Sequence, residues 1–290
     1  MSTRILPEFD LLVPQAVDEA VKMLAKHKDH AAILAGGTDL LVVMKDGYRT
    51  DYVISLAEIS GLNSLTYDPR EGLQLGAMVT MADVVGAKVV KDNYPALWKS
   101  ASENGSPQTR TMGTIVGNIL RASPSGDCCC AVLALGGSVV LRGPKKTREV
   151  PIDEFWLDYR RTARKSDELA LALKLPPLPK GTVSAFAKMT RTTLDLAKVN
   201  AAVRLDMAQG KCTQARIAVG AVAPTTIRLP KTEKLVAGKA ITEEVLKEVQ
   251  QSVSTEIKPI DDVRSTAEYR RDVTGVLVKR VIEQALGVSN

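Results

Sequence analysis

The stretch from Asn104 to Asp127 constrains this chain more than any other. It carries Gly105, Ser106, Pro107, Gly113, Thr114, Gly117, Asn118, Ser123, Pro124, Ser125 and Gly126, yet it lies between apolar segments rather than at a terminus. A long polar segment inside a compact domain is as a rule functional or disordered. Ile115, Val116, Ile119 and Leu120 anchor this one, which favours function. Gly113-Thr114-Ile115-Val116-Gly117-Asn118 offers two positions without a Cβ and two polar side chains, a pattern that lets a ligand approach the backbone closely. Asp127 follows. A carboxylate there can accept from two ribose hydroxyls, cap a helix, or do both.

A second glycine turn, Ala35-Gly36-Gly37-Thr38-Asp39, comes directly after a short apolar strand at Ala31 to Leu34. Its backbone N–H groups can wrap a diphosphate, and it can equally be a tight turn. It is not the G-x-G-x-x-G of a Rossmann unit: its two glycines are adjacent, and no acidic ribose binder is obvious after them. Two such segments in one domain argue for a long anionic dinucleotide better than either does alone.

The surrounding pattern is α+β. A strand at Phe9 to Val13 leads into a helix with Val17, Ala20, Val21 and Leu24 on one stripe, the i, i+3, i+4, i+7 spacing of an amphipathic helix. A strand at Tyr52 to Leu56 completes a β-α-β start. Leu65 to Ala77 reads as two strands around the turn Asp68 to Gly72, and Thr80 with Asp83 as a capping box. Pro95 opens a helix toward Ser102. Cys128 to Leu135 reads as a buried helix capped by Ser125 or Asp127. Strands follow at Ser138 to Arg142 and, by alternation, at Leu169 to Leu175. Leu175-Pro176-Pro177-Leu178-Pro179-Lys180-Gly181 is the best linker. Beyond it, strands at Val183 to Met189, Val199 to Met207 and Ala215 to Val222 precede helices at Thr232 to Val236, Thr242 to Val253 and Ala267 to Leu286, a small α+β domain. The expected division is therefore 1–178, with subdomains of about 1–57 and 58–178, followed by 182–290.

Several functions are disfavoured. The net charge of +6 is spread along the chain and aromatics are only 4%, which makes a nucleic-acid binder a poor reading. The charge suits an anionic cofactor or simply a basic, soluble surface. Two histidines, His27 and His30, lie in a Lys-rich polar stretch, and Cys128, Cys129, Cys130 and Cys212 form no disulfide or metal framework. No metal site and no catalytic acid–base pair is expected, so the hard chemistry belongs to a cofactor or to a partner chain. No apolar run is long enough to span a bilayer and no secretory signal is evident, so a cytoplasmic location is expected, or one in which the chain rides on an exported partner.

Leu34-Ala35-Gly36-Gly37-Thr38-Asp39-Leu40-Leu41, Gly113 to Asn118 and Ala122-Ser123-Pro124-Ser125-Gly126-Asp127 resemble the two FAD-binding segments of the xanthine dehydrogenase family. They are most similar to its separate medium subunits, as in bacterial carbon monoxide, nicotinate and 4-hydroxybenzoyl-CoA enzymes. Lys188 to Arg191, Leu194 to Ala197, Val199-Asn200, Gly220 to Thr225, Asp262 to Arg264 and Ala267 to Arg271 extend the resemblance over almost the whole chain. It implies an FAD domain of the vanillyl-alcohol-oxidase (PCMH) type, followed by a small domain of a three-stranded sheet plus helices. It implies that Ile33, Leu34, Ala35, Gly36, Gly37, Thr38, Asp39 and Leu40, with Gly113, Thr114, Ile115, Val116, Gly117, Asn118 and Ser123, line FAD. Asp127 would hold the ribose, and Asn104, Ala170 and Lys188 would make further contacts, with Lys188 stabilising a reduced, anionic flavin by charge. It implies partners: a large molybdopterin subunit and a small subunit with two 2Fe-2S clusters, the trimer often doubled. On this reading the chain transfers electrons. The alternatives are a scaffold whose flavin is redox-idle and a free-standing flavin oxidoreductase. This sequence departs from the family at Val116-Gly117-Asn118, where relatives often have Gly-Gly-Asn. It also lacks the Cys-rich 4Fe-4S insertion of the 4-hydroxybenzoyl-CoA enzymes. A basic Asp158-to-Lys165 loop stands where many relatives have a Gly-Pro-Gly-like one.

Overall fold

A computed structural model describes residues 5–288. The chain opens with β1 (Asp10–Leu12), α1 (Val17–His27), β2 (Ala31–Leu34), α2 (Leu40–Lys45) and β3 (Tyr52–Ser55). These strands form a parallel sheet in the order β1-β3-β2, and α1 buries Ala20, Val21 and Leu24, the stripe legible in the sequence. Parallel neighbours need a crossover connection, and the helices supply it.

Next come β4 (Leu65–Asp68), β5 (Gly72–Gly76), α3 (Met81–Gly86), α4 (Lys88–Asn93) and α5 (Pro95–Glu103). Thr80 and Asp83 cap α3 reciprocally, and Pro95 sits at the start of α5. The Asn104-to-Asp127 stretch is mostly helical, in two short pieces, α6 (Pro107–Met112) and α7 (Ile115–Arg121). Its loop-like composition has a physical reason: Ser106 and Thr114 are N-caps, accepting from the Thr109 and Gly117 N–H groups, and Pro107 stands at N1. Helices this short are mostly ends, and ends use Ser, Thr, Pro and Gly.

α8 (Asp127–Leu135) is buried at every residue. Neither Ser125 nor Asp127 caps it: Gly126 is the N-cap residue and no side chain bonds there. Asp127 is the first helical residue, and its carboxylate is engaged elsewhere. Then follow β6 (Ser138–Arg142), β7 (Thr147–Pro151), the hairpin β8 (Trp156–Asp158) and β9 (Arg161–Thr162), and β10 (Leu169–Leu175). The larger sheet of this half runs β4-β5-β10-β6-β7, all antiparallel.

Past the proline-rich linker, β11 (Thr182–Met189), β12 (Val199–Ala208) and β13 (Lys211–Gly220) form an antiparallel meander. A two-residue strand, β14 (Ile227–Arg228), extends the expected three-stranded sheet to four. α9 (Pro230–Val236), α10 (Glu243–Val253) and α11 (Ala267–Ala285) complete the chain. The odd-numbered residues Ala185, Val199, Ala201, Val203, Leu205, Ala215, Ile217 and Val219 pack with α10 and α11 into a separate core. The even-numbered Phe186, Ala202 and Ala218 join the core of the N-terminal half instead. The sheet thus serves two cores, one on each face, as the two-residue period of a strand requires. Among the described residues no helix is long and apolar enough to cross a membrane.

Candidate functional site

The first glycine turn leaves β2 and enters α2. Gly37 adopts φ +73°, the left-handed region that glycine occupies without cost. Among the described residues, the N–H groups of Gly36, Gly37, Thr38 and Asp39 donate to no backbone or side-chain acceptor. Four consecutive free donors on a partly exposed turn form a concavity suited to phosphate oxygens.

The second segment is pressed against the first, backbone to backbone. A methyl on Gly36 would lie 1.7 Å from the Met112 carbonyl oxygen, and one on Gly113 would lie 3.3 Å from Thr38 Oγ1. Asp39 and Arg121 pair across the same seam at 3.4 Å. The two segments, far apart in sequence, therefore make one wall. Within it, Gly113, Thr114, Ile115 and Val116 are buried. Ile115, Val116 and Ile119 point into the core of the N-terminal half, so a ligand can meet Ile115 and Val116 only at their backbone. Thr114 Oγ1 accepts from the Gly117 N–H at 3.0 Å. The Val116 side chain, where relatives often have glycine, packs into that core. Asn118 lies midway along α7 and is half-buried, and its carbonyl accepts from Cys129 Sγ at 3.6 Å.

Asp127 is 4% exposed. Its Oδ2 accepts from Lys188 Nζ at 2.7 Å and its Oδ1 from Asn200 Nδ2 at 2.9 Å. Burial pushes its carboxyl above the ordinary range, against the pull of the Lys188 ammonium and the Asn200 amide. Lys188 Nζ also donates to the Glu103 carbonyl at 2.9 Å and to the Asp195 carbonyl at 3.3 Å. An ammonium has three N–H groups, and protein acceptors take all three. Its charge is likewise matched by Asp127, so Lys188 presents a neutralised pair rather than a free cation. Asn104 directly follows Glu103, and Arg110 Nη1 holds the neighbouring Gly105 carbonyl at 2.7 Å. Ser123 Oγ meets Ser125 Oγ at 3.3 Å, and its carbonyl accepts from the Gly126 N–H.

The turn at 35–39, the 113–118 segment, the head of α8 and the end of α5 are thus linked contact by contact. Ala170 stands apart: it is buried in β10 at a register shift, beneath α7. Asn200 joins the site here, although the family resemblance gives it no role. Its signal was a polar residue at an even position of a strand whose odd positions are apolar.

The cysteines are free and buried. Burial pushes Cys128 to about 12 and Cys129 and Cys130 well above the ordinary thiol value, which makes them unreactive thiols. The basic 158–165 loop forms the turn and second strand of the β8–β9 hairpin, whose first strand is tied to α7 by Trp156 Nε1 donating to the Ile119 carbonyl at 2.9 Å. At its tip Arg160 adopts φ +54° and lies over the Tyr159 ring. His27 stacks on Tyr52 and His30 bonds Asp51, both away from this site.

The comparisons with known proteins identify the family. Residues 7–178 match the FAD-binding domain of molybdopterin dehydrogenases, and residues 184–285 match the CO dehydrogenase flavoprotein C-terminal domain. The carbon monoxide dehydrogenase medium chain of Hydrogenophaga pseudoflava is 30% identical over 282 residues, covering 97% of this chain and 98% of that one. The xanthine dehydrogenase FAD-binding subunit of Escherichia coli O157:H7 is 26% identical and covers 93% of this chain and 94% of its own. Among solved structures, the H. pseudoflava carbon monoxide dehydrogenase that lacks the Mo-pyranopterin moiety of its molybdenum cofactor superposes with a TM-score of 0.94. It is 31% identical, over 99% of this chain and 100% of that one. The chain belongs to the xanthine dehydrogenase family of molybdenum hydroxylases, as an FAD-binding oxidoreductase subunit.

Proposed function

We propose that this chain is the electron-transferring medium subunit of a heterotrimeric molybdenum hydroxylase. It takes electrons from the 2Fe-2S clusters of a small subunit and passes them to an external acceptor, while a large molybdopterin subunit oxidises the substrate. Support comes from relatives named as medium chains and FAD subunits of dehydrogenases. The same reading places the complex in the cytoplasm and allows the trimer to double.

One observation carries the cofactor part of this reading: the seam where Gly36 meets Met112 and Gly113, beside four N–H groups that have no partner among the described residues. These residues fit a diphosphate. The turn at 33–40 would donate its free N–H groups to the phosphate oxygens, and the absence of a Cβ at Gly36 and Gly113 keeps the two segments close enough to do so together. Asn118, Ser123 and Asn104 would supply polar contacts along the wall. Asp127 would offer the ribose whatever acceptor capacity its clamp leaves, and Ala170 would close the floor. FAD, when bound, would supply the redox chemistry. The chain's own part is to bind it, orient it and exclude water. Among the side chains of the site, no free base is positioned for substrate chemistry, which favours a partner as the place of substrate oxidation.

An absorbance spectrum of the purified chain, taken before and after heat release of the chromophore, tests the cofactor. Released FAD, rather than FMN, is the expected result; a colourless protein that takes up no added FAD overturns it. Reduction of the flavin by substrate in the intact complex separates electron transfer from a redox-idle scaffold. Turnover by the isolated chain would instead support a free-standing oxidoreductase.

A further inference from the structure

α8 belongs to the N-terminal half by sequence, but the C-terminal sheet holds both of its ends. At its tail, Arg216 donates to the Leu133 and Ala134 carbonyls and Arg204 to the Leu135 carbonyl, satisfying acceptors that a helix end leaves open. Midway, Cys130 Sγ lies 3.2 Å from the Ala218 carbonyl. At its head, Lys188 and Asn200 grip Asp127. The two ends differ in what else they hold. The tail faces Asp153, which pairs with Arg216 and Arg228. The head adjoins the flavin wall: Asp127 lies nine residues beyond Asn118, and Cys129, two residues farther along, touches the Asn118 carbonyl.

We propose that Lys188 and Asn200 are positioning residues for the flavin site, clamping the head of α8 from the C-terminal domain. Lys188 does so while holding the end of α5 through Glu103 and the 190–197 strap through Asp195. This rests on the flavin reading above. One buried ammonium thereby sets three segments in register: α5 just before Asn104, the Asp127 turn, and a strap whose Leu194 and Leu196 side chains are exposed. The strap is fixed from within as well, because Arg191 Nε donates to Asp195 Oδ2 at 2.7 Å and Leu194 adopts φ +69°, a conformation a leucine keeps only when its surroundings impose it. Lys188 acts through these segments, since it has no N–H left for a ligand.

The test compares Lys188→Met, Asp127→Asn, the double variant, Asn200→Ser and Arg216→Met in the full chain. For each, the dissociation constant of FAD, the visible circular dichroism of the flavin at saturating FAD, and the rate of tryptic cleavage after Lys180 in the linker are measured. The clamp predicts that Lys188→Met weakens FAD binding at least tenfold, changes the flavin dichroism and speeds linker cleavage. The same change made in the Asp127→Asn background has less than a twofold further effect. Asn200→Ser, a milder change, shifts the same readouts in the same direction and substitutes if Lys188→Met does not fold. Arg216→Met, which loosens the other end of the same helix, speeds cleavage but leaves the flavin dichroism alone. Equal and additive effects of Lys188→Met in both backgrounds overturn the proposal, and so does a flavin signal that Arg216→Met disturbs as much as Lys188→Met. A wild-type chain that takes up no FAD overturns the flavin reading and the positioning role with it. Accelerated linker cleavage in Lys188→Met would then report an interdomain tie of purely structural value.

Discussion

The two faces of the β11-β12-β13 sheet are both buried, yet they are built from different chemistry. The face toward α10 and α11 carries Val199, Val203, Leu205, Ile217 and Val219. The face toward α5 and α8 carries Lys188, Asn200, Arg204 and Arg216 beside Phe186, Ala202 and Ala218. Both faces exclude water. They differ in what lies opposite. α10 and α11 present apolar stripes, whereas α8 presents its ends, and a helix end is a set of unpaired carbonyls and N–H groups. Arg204 and Arg216 even stand directly opposite each other on neighbouring strands. Such like-charged pairs normally repel. Here each guanidinium has its own carboxylate, Asp206 for Arg204 and Asp153 for Arg216, besides the α8 carbonyls. The lesson is that burial selects for complementarity to the opposing surface, and hydrophobicity is only the commonest form of it.

The contrast makes graded predictions. The largest effect is expected on the polar face. Lys188→Met leaves Asp127 buried and uncompensated, so denaturant unfolding is expected to show a loss of about 3–5 kcal/mol, the usual cost of stranding one member of a buried pair. If the loss is under 1 kcal/mol, the polar face is not a matched surface. On the apolar face, Leu205→Ala leaves a void and should cost about 2–5 kcal/mol, with little change in FAD affinity. A large loss of flavin there would mean that the two faces are not functionally separate. Arg216→Met removes a hydrogen-bond donor from the α8 tail and should cost about 1–3 kcal/mol by the same measurement. The smallest effect concerns acid. Burial raises the Asp153 carboxyl, but hydrogen bonds and charge from Arg216 and Arg228 outweigh it and hold the group below the ordinary carboxylate value. A depressed carboxyl stabilises the fold above its unfolded value and loses that contribution as pH falls through the folded one. Stability should therefore decline below about pH 4, and Asp153→Asn should flatten that part of the profile.

Much of the architecture was legible because local signals and tertiary placement agree. The Thr80–Asp83 capping box, the Val17-to-Leu24 stripe and the Leu169-to-Leu175 alternation each need only neighbours in sequence to be understood. The glycine turn was legible too, though not its partner: nothing local says that Gly36 must be glycine because Met112 lies against it. The helices within Asn104 to Asp127 were hidden because capping residues look like loop residues. The polar face of the C-terminal sheet was hidden for a related reason. Alternation of Val199-Asn200-Ala201-Ala202-Val203-Arg204 reads as one wet side and one dry side, and only the fold reveals that α8 covers both Asn200 and Arg204.

The family domains meet at the linker, and a genetic engineer would cut there. The energetics draw the line elsewhere. A fragment ending at residue 178 would lack Phe186, Ala202 and Ala218 from its own core, and α8 would surrender its end partners to solvent. The excised sheet would in turn expose a surface of aligned arginines and a lysine with no carbonyls to meet. Two modules by ancestry, the halves should melt in one calorimetric transition, with a heat-capacity step belonging to the whole chain.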